Sequence, residues 1–352
     1  MEIKSHTKKY QVNLYTDFTP VQRIIIDKDS YIVIDKVLYD IYENRLFADF
    51  PKERLYILEA TENNKVIESV LSICEKMTGF AAKRNVKLIS FGGGIIQDIT
   101  GFVANILYRG IHWTFFPTTL LAACDSCIGG KTSLNYKKFK NLLGTFYPPD
   151  SVNICTPFFQ TLSDRDFESG LGEVVKFNVM YGEAGVNRIE KDMDALLARD
   201  PKTVLYYVES SLNFKKPFIE ADEFDRGVRI QLNFAHTFGH AFETMSNYDI
   251  PHGTAVAMGT IVANHISLER GWLDEELVLR IEAILKQIIH IAPLHFDVNC
   301  DVILQAIHKD KKQTSDQITA VLMKDDMKLL IVHDVQEKEV REAVSYMFNL
   351  LK

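Results

Sequence analysis

The side chains that could do chemistry are most concentrated in the stretch RIQLNFAHTFGHAFE, at 229–243. Arg229, Asn233, His236, His240 and Glu243 are separated by four, three, four and three residues, a spacing that predicts one narrow face of a helix. The other positions are mostly apolar, which indicates a buried helix. Buried guanidinium, imidazole and carboxylate groups are costly unless partners satisfy them. The face is therefore a candidate site, with an internal polar network or a solvated face as the alternatives.

Two pairs of side chains on predicted helices indicate metal or charge chemistry. His236 and His240 form a candidate pair of metal ligands, because imidazoles four residues apart project from one side of a helix. Glu173 and Lys176 share a face of a helix that begins after Ser163, a favourable N-cap residue. As a surface ion pair, these two side chains would contribute only about 0.2 to 0.5 kcal/mol.

Three consecutive glycines, Gly92, Gly93 and Gly94, follow an apolar run at 86–91 and precede the helical pattern IIQDITGFVANILY. Glycine lets the backbone approach a ligand closely, and the amides at the start of the next helix favour an anion such as a pyrophosphate. The spacing differs from the GxGxxG fingerprint, so a tight strand-to-helix turn is the alternative. Asp98 lies early enough in this helix to hold a ligand or to cap the turn.

A polar, glycine-rich stretch follows the Pro-Thr-Thr turn at 117–119 and carries Asp125, Lys131, Lys140 and Asn141. Lysine ammonium groups and glycine amides can converge on one phosphate or carboxylate. We predict that this stretch is a ligand-binding loop, and a solvated loop is the alternative.

The secondary-structure pattern changes near residue 160. Strand-like runs at 22–26, 31–34, 54–58, 86–91, 112–116 and 152–155 alternate with helical patterns at 37–47 and 65–82, which favours a parallel α/β architecture. Later sequence is mostly helical, at 164–180, 183–199, 203–216, 254–270 and 274–289. The prediction is a Rossmann-like parallel α/β nucleotide-binding domain at 1–160 and an all-α domain at 161–352.

Composition narrows the class of protein. The 352 residues carry a net charge of −7, which argues against general attraction to nucleic acid or to an anionic membrane. The five cysteines are scattered and odd in number, as is usual for reduced thiols in a cytoplasmic protein. Cys124 and Cys127 have CxxC spacing, but the chain has no second CxxC, which disfavours a thiol site. No signal-peptide core and no run of about 18 apolar residues is present.

Several stretches in order resemble the 3-dehydroquinate synthase family of the sugar-phosphate cyclases. They are GGGIIQDITGF, RGI, PTTLLAACDSCIGGKTSLN, KNLLGTFYPP, GLGEVVK, DEFDRGVRIQLNFAHTFGHAFE and HGTAVAMG, with a weaker match at HKDKK. Together they cover about residues 90 to 312. The resemblance implies a homodimer with the active site in the cleft between two domains.

The resemblance also implies a metal site. By position the ligands are Glu173, His236 and His252, which would leave open positions on Zn²⁺ or Co²⁺ for substrate oxygens. His240 then becomes a neighbouring polar or proton-transfer residue.

The same resemblance assigns residues to NAD and to the substrate. The cofactor positions are Asp35, Glu62, Lys65, Gly93, Gly94, Asp98, Thr118, Thr119, Lys140, Asn141 and Thr161. The catalytic and substrate positions are Asp125, Lys131, Asn141, Lys176, Lys215, Arg229 and Asn233, with Arg109 as an anion contact and Lys311 or Lys312 closing the site. For Asp35, a structural role as the turn residue at the end of a strand is the alternative.

The implied reaction converts 3-deoxy-D-arabino-heptulosonate 7-phosphate to 3-dehydroquinate, a step of the shikimate pathway to the aromatic amino acids. NAD⁺ is used catalytically while the lyase step releases phosphate and the ring closes by an aldol step. Related cyclases that make 2-deoxy-scyllo-inosose or 2-epi-5-epi-valiolone are an alternative, and metal-dependent alcohol or glycerol dehydrogenases are another. Arg229 favours a carboxylated substrate, whereas Val37 and Thr254 depart from the family pattern and leave specificity open.

Overall fold

The computed structural model describes residues 1–79, 85–137, 139–290, 299–309, 317–325 and 327–352. The chain divides into two compact units. The first contains Met1–Leu162 and Lys216–Phe224, and the second contains Ser163–Lys215 and Asp225–Lys352. The sequence pattern placed the boundary at 160/161 and assigned 216–224 to the second domain, whereas this short segment packs with the first unit.

The first unit is built on a seven-stranded sheet and a separate hairpin. The strands are β1 Glu2–Ile3, β2 Tyr10–Tyr15, β3 Ser30–Asp35, β4 Leu55–Leu58, β5 Lys87–Gly92, β6 His112–Pro117, β7 Lys131–Tyr136, β8 Phe139–Phe146 and β9 Ser151–Cys155. The sheet order is β1-β2-β9-β6-β5-β3-β4, and every pair is parallel except β1 with β2. The predicted parallel α/β domain is confirmed, and the carboxyl ends of its central strands share one edge, where such sheets bind ligands.

Four helices accompany this sheet: α1 Thr19–Ile25, α2 Lys36–Tyr42, α3 Ile67–Gly79 and α4 Gly94–Ile106. Three of them were predicted, but the strand expected at 22–26 is wrong, because these residues lie in or next to α1. The three isoleucines at its end resemble a strand. Pro20 in the first helical turn and the Asp17 carboxylate, which accepts the Thr19 amide at 2.8 Å, instead favour a helix.

The loop predicted to carry Asp125, Lys131, Lys140 and Asn141 is wrong. Asp125 lies in a helical turn at Ala122–Ser126, and the other three residues lie on an antiparallel hairpin of β7 and β8. The many polar residues of this stretch obscure its strand pattern, in which alternate side chains, Thr132 and Leu134, are buried. Helix α4 approaches β7 closely, since a Cβ atom on Gly101 would overlap the Thr132 side chain. Tertiary packing therefore stabilises strands that have weak intrinsic preference for the extended conformation.

The second unit is mainly helical. Its helices are α5 Asp164–Met180, α6 Glu183–Leu197, α7 Pro201–Ala221, α8 His236–Met245, α9 His252–Glu269, α10 Glu275–Lys286, α11 Cys300–Lys309 and α12 Glu337–Leu351. The last residues of α7, from Lys216 onward, belong to the first unit. The helical character of this part is confirmed. It also contains one antiparallel pair, β10 Ile318–Lys324 and β11 Lys328–Val335. None of the described helices is long and apolar enough to cross a membrane.

Helices α5 and α9 cross with their backbones in contact. A Cβ atom on Gly172 would overlap the Gly253 carbonyl oxygen, and one on Gly253 would overlap the Ser169 carbonyl oxygen. The Gly253 amide also donates to the Ser169 hydroxyl at 3.1 Å. This contact brings Glu173, the residue after Gly172, close to His252, the residue before Gly253.

The single helix predicted at 229–243 is wrong, because the segment is divided. A 3₁₀ turn at Val228–Asn233 carries Arg229, and α8 starts at His236 after Ala235, whose φ is 69°. At the break the backbone packs closely against α9, since the Ala235 carbonyl occupies the space that a Cβ atom on Gly259 would need. Left-handed backbone at alanine is costly, so the sequence pattern gave no reason to expect it.

Substitution of Gly253 should destabilise the second unit. Gly253→Ala places a methyl group against the Ser169 backbone, which cannot move without separating α5 from α9, and overpacking of this kind costs about 1 to 3 kcal/mol. Urea denaturation would measure the loss. Gly79→Ala is the control, because a Cβ atom there meets nothing within 4 Å. Equal stability of the two variants would contradict this account of the crossing.

Candidate functional site

Glu173, His236 and His252 meet in the second unit as a group of three potential metal ligands. Glu173 Oε1 lies 3.5 Å from His236 Nε2 and 3.4 Å from His252 Nε2. Ligands placed at about 2.0 to 2.1 Å from a tetrahedral Zn²⁺ are separated by about 3.3 to 3.4 Å. The three side chains therefore have the chemistry and spacing to hold one divalent ion.

The Glu173 carboxylate is fully buried in α5. Its Oε2 forms an ion pair with Lys176 Nζ at 2.6 Å, and neither oxygen has a hydrogen-bond partner among the described residues. Burial alone would raise the pKa of Glu173, but the Lys176 ammonium and His252 hold it at about 2. A buried, ionised oxygen without a hydrogen bond is a costly feature, and a cation bound between the two imidazoles would satisfy it.

Both imidazoles are turned so that Nε2 faces Glu173. His236 Nδ1 donates to the Phe234 carbonyl oxygen at 3.0 Å, and His252 Nδ1 donates to Glu243 Oε2 at 3.2 Å. Burial alone would lower the pKa of His252, but Glu243 and Glu173 raise it to about 10. A divalent ion held by these side chains would take the place of the proton on His252 Nε2.

Other predicted residues of the second unit lie on neighbouring elements. Lys176 is buried and donates to the Leu232 carbonyl oxygen at 3.3 Å. The ring of His240 lies 5.5 Å from that of His236, centroid to centroid. Arg229 is buried on the 3₁₀ turn. Lys215 is buried in α7, and Asn233 is half-buried, with its amide donating to the Ile230 carbonyl oxygen at 3.0 Å.

In the first unit, Lys65 connects two of the predicted cofactor residues. Its Nζ lies 2.5 Å from Asp98 Oδ2 and donates to Asn141 Oδ1 at 2.7 Å. Ser133 donates to the same carboxylate from its amide at 3.1 Å and from its hydroxyl at 2.9 Å. Burial raises the pKa of Asp98, and Lys65 opposes that shift.

Asn135 extends this cluster to Glu62. Its side-chain amide donates to Glu62 Oε2 at 2.8 Å, and its Oδ1 accepts the Asn141 backbone amide at 3.0 Å. Lys140 Nζ lies 3.8 Å from the same Glu62 oxygen. Five predicted positions are thus brought into one polar cluster: Glu62, Lys65, Asp98, Lys140 and Asn141. The sequence pattern did not single out Ser133 and Asn135. The signal that could have indicated them is the alternation of buried and more exposed residues along β7.

The other predicted cofactor positions follow the carboxyl ends of parallel strands. Asp35 ends β3, Gly93 and Gly94 follow β5, and Thr118 and Thr119 follow β6. The Asp35 carboxylate accepts the Val37 amide at 3.2 Å, so it caps α2, as the structural alternative expects. Glycine at 93 leaves room for Thr119, whose Cγ2 would lie 3.1 Å from an added Cβ.

The remaining predicted site residues lie elsewhere in the first unit or outside the described residues. Thr161 ends the 3₁₀ turn after β9 and lies 3.2 Å from the Tyr42 hydroxyl. Asp125 is half-buried, whereas Arg109 and Lys131 are exposed. Lys311 and Lys312 lie outside the described residues. The five cysteines, all within the described part of the chain, are free thiols.

The fold is that of the sugar-phosphate cyclases. A solved 2-epi-5-epi-valiolone synthase from Streptomyces hygroscopicus subsp. jinggangensis 5008, with NAD⁺ and Zn²⁺ bound, has a TM-score of 0.85 at 23% identity and covers 98% of each chain. A 2-deoxy-scyllo-inosose synthase complexed with carbaglucose-6-phosphate, NAD⁺ and Co²⁺ has a TM-score of 0.84 at 23% identity and the same coverage. At this level of identity the likeness establishes architecture.

Sequence comparison identifies the family. Residues 55–169 match the 3-dehydroquinate synthase N-terminal model, and residues 170–313 match the C-terminal model. The 3-dehydroquinate synthase of Dictyoglomus turgidum is 33% identical over 339 residues, which is 95% of this chain and 94% of the relative. The chain therefore belongs to the 3-dehydroquinate synthase family of enzymes, and the predicted resemblance is confirmed.

Replacement of Glu173 tests the metal site. Glu173→Gln replaces the anionic ligand with a neutral amide and should weaken Zn²⁺ binding by about 100-fold or more, measured by competition with a chelator. Glu168→Gln on the same helix is the control, since Glu168 pairs with His290 at 3.2 Å. Wild-type affinity in Glu173→Gln would exclude this group as the metal site.

Proposed function

We propose that the protein is a 3-dehydroquinate synthase that converts 3-deoxy-D-arabino-heptulosonate 7-phosphate into 3-dehydroquinate and inorganic phosphate. The observation that carries the proposal is the group formed by His236, His252 and the buried Glu173 carboxylate, which lies beside the Lys176 ammonium. Support also comes from relatives of that name, which are 33% and 36% identical over 95% and 93% of the chain. The reaction would be a carbon–oxygen lyase step of aromatic amino acid biosynthesis.

The proposed cofactors are NAD⁺ and Zn²⁺ or Co²⁺. When bound, the metal supplies Lewis acidity at the substrate hydroxyls, and NAD⁺ takes up and returns one hydride. Glu173, His236 and His252 would hold the ion through one carboxylate oxygen and two imidazole nitrogens. The polar cluster of Lys65, Asp98 and its neighbours at the sheet edge supports a nucleotide site in the first unit.

We assign the chemistry of the chain's own residues by position and burial. His240, next to His236, is the candidate for moving protons, because its imidazole can both accept and donate. Lys176 keeps the Glu173 carboxylate ionised and supplies a cation beside the metal ligands. Asn233 suits substrate hydroxyl groups, since its side-chain amide carries both donor and acceptor atoms.

The substrate has two anionic groups, and the proposal assigns basic residues to each. Arg229 and Lys215 are buried cations of the second unit, and a guanidinium matches a carboxylate through two parallel hydrogen bonds. Arg109 and Lys131 of the first unit, together with Lys311 or Lys312, are assigned to anion contacts including the phosphate. Asp125 is assigned to a polar contact with the substrate. The proposal includes a cytoplasmic homodimer.

The decisive assay supplies the purified protein with Zn²⁺, NAD⁺ and the heptulosonate phosphate. We expect one phosphate released for each 3-dehydroquinate formed and no net accumulation of NADH, because the hydride is returned within each turnover. Parallel reactions with sedoheptulose 7-phosphate and glucose 6-phosphate test the other cyclase activities. Turnover of either of these sugars, without turnover of the carboxylated one, would refute the proposed substrate. Net NADH from an alcohol would instead indicate a dehydrogenase.

Arg229→Leu tests carboxylate recognition. Loss of a buried, bidentate ion pair to the substrate should lower kcat/KM by about 30-fold or more, since such contacts are worth roughly 2 to 5 kcal/mol, while Zn²⁺ content stays at the wild-type level. Arg226→Leu is the matched control, because Arg226 is exposed and lies three residues away. An unchanged kcat/KM in Arg229→Leu would remove the assigned role.

A further inference from the structure

Glu243 is the one member of the polar stripe at 229–243 for which the sequence offers no function. It lies on α8, seven residues after His236 and therefore two turns along the same side of the helix. Its Oε2 lies 3.2 Å from His252 Nδ1. The side chain of Glu243 is largely buried, with 13% of its surface exposed, so its carboxylate is oriented toward His252 in a partly desolvated place.

The two imidazoles of the metal-ligand group are held in the same way by different acceptors. His236 donates through Nδ1 to the Phe234 carbonyl oxygen, and His252 donates through Nδ1 to Glu243. In a neutral imidazole only one nitrogen carries hydrogen, so a hydrogen bond donated by Nδ1 leaves the Nε2 lone pair available. In both residues Nε2 faces Glu173 Oε1. Glu243 thus accepts the Nδ1–H hydrogen bond of His252 in the same way that the Phe234 carbonyl accepts that of His236.

We propose that Glu243 is a positioning residue for the metal site, which fixes the ring orientation and the Nδ1–H tautomer of His252. The inference rests on the metal dependence in the proposed function. Outer carboxylates that accept a hydrogen bond from a ligating histidine make that ligand more basic and keep it in place. Glu243 does not touch the ion or the substrate in this role.

The position of His252 explains why an anion is useful there. His252 is the first residue of α9, an 18-residue helix, and the amino end of a helix carries a partial positive charge. A metal ion and a helix amino end together would repel each other at this point. The Glu243 carboxylate provides a compensating negative charge at His252, whereas His236, which also begins a helix, has the neutral Phe234 carbonyl as its acceptor.

A competing interpretation makes Glu243 a direct ligand. Potential ligand atoms of His240, Glu243 and His252 also lie within 4.8 Å of one another. The two interpretations differ in what His252 Nδ1 does, since a nitrogen that donates to Glu243 cannot bind an ion at the same time. The buried Glu173 Oε1, without a hydrogen-bond partner among the described residues, favours an ion on the Nε2 side and one ion per chain.

The test compares Glu243→Leu and Glu243→Gln with the wild-type protein in chelator competition for Zn²⁺. Glu243→Leu removes the acceptor and should weaken binding about 10- to 100-fold. Glu243→Gln keeps a neutral acceptor for Nδ1–H but loses the negative charge, so it should recover part of that loss, which a purely structural role would not produce. Glu276→Gln, an exposed glutamate of α10, controls for the loss of one negative charge. The thermal midpoint of each metal-free variant checks the fold.

Two results would overturn the inference. One is wild-type affinity in Glu243→Leu. The other is a second Zn²⁺ per chain that Glu243→Leu abolishes and Glu173→Gln retains, which would make Glu243 a ligand. These outcomes leave the proposed function intact. Failure of the wild-type protein to bind Zn²⁺ or Co²⁺ would instead refute the metal-dependent function together with the inference.

Discussion

The backbone contact between α5 and α9 is the constraint on which the candidate metal site depends. Gly172 and Gly253 let the two helices approach until no Cβ atom fits between them. The neighbouring residues, Glu173 and His252, are thereby held with carboxylate oxygen and imidazole nitrogen 3.4 Å apart. A ligand set built on rigid helices keeps its geometry better than one built on loops, so the glycines are as important to the site as the ligands.

Charge balance explains the residues around this contact. An ionised carboxylate at the position of Glu173 has no water to stabilise it, and burial of a lone charge is costly. Lys176, one turn away on the same helix, offsets that cost for one oxygen. The other oxygen faces two imidazoles whose remaining nitrogens are already engaged by Phe234 and Glu243. Neither Glu173 oxygen has a hydrogen-bond partner among the described residues, and Oε1 faces the two imidazole nitrogens between which a cation would bind.

The first unit contains a comparable network of charged and polar side chains at the edge of its sheet. Lys65 is held between Asp98 and Asn141, and the β7–β8 hairpin supplies Ser133 and Asn135 to fix both partners. Polar groups that already satisfy one another need little reorganisation when a ligand arrives. The hairpin therefore contributes to the candidate nucleotide site, although its sequence resembles a loop.

The sequence by itself determined the parallel α/β unit, the helical unit and most helix bounds, because apolar periodicity and caps such as Ser163 are local signals. The family resemblance identified Glu173, His236 and His252 as the candidate metal ligands. Spacing alone would not have selected these three, because it favours His236 and His240, four residues apart on a helix, as the pair of ligands. Only the tertiary structure decided the break at Ala235, the β7–β8 hairpin and the contact from Glu243 to His252. The break and the hairpin lie where another helix packs closely, α9 against Ala235 and α4 against β7, and such packing can override local preference. The helix at Thr19–Ile25 differs from these, because its local signals, Pro20 and Asp17, were outweighed by a run of isoleucines that resembles a strand.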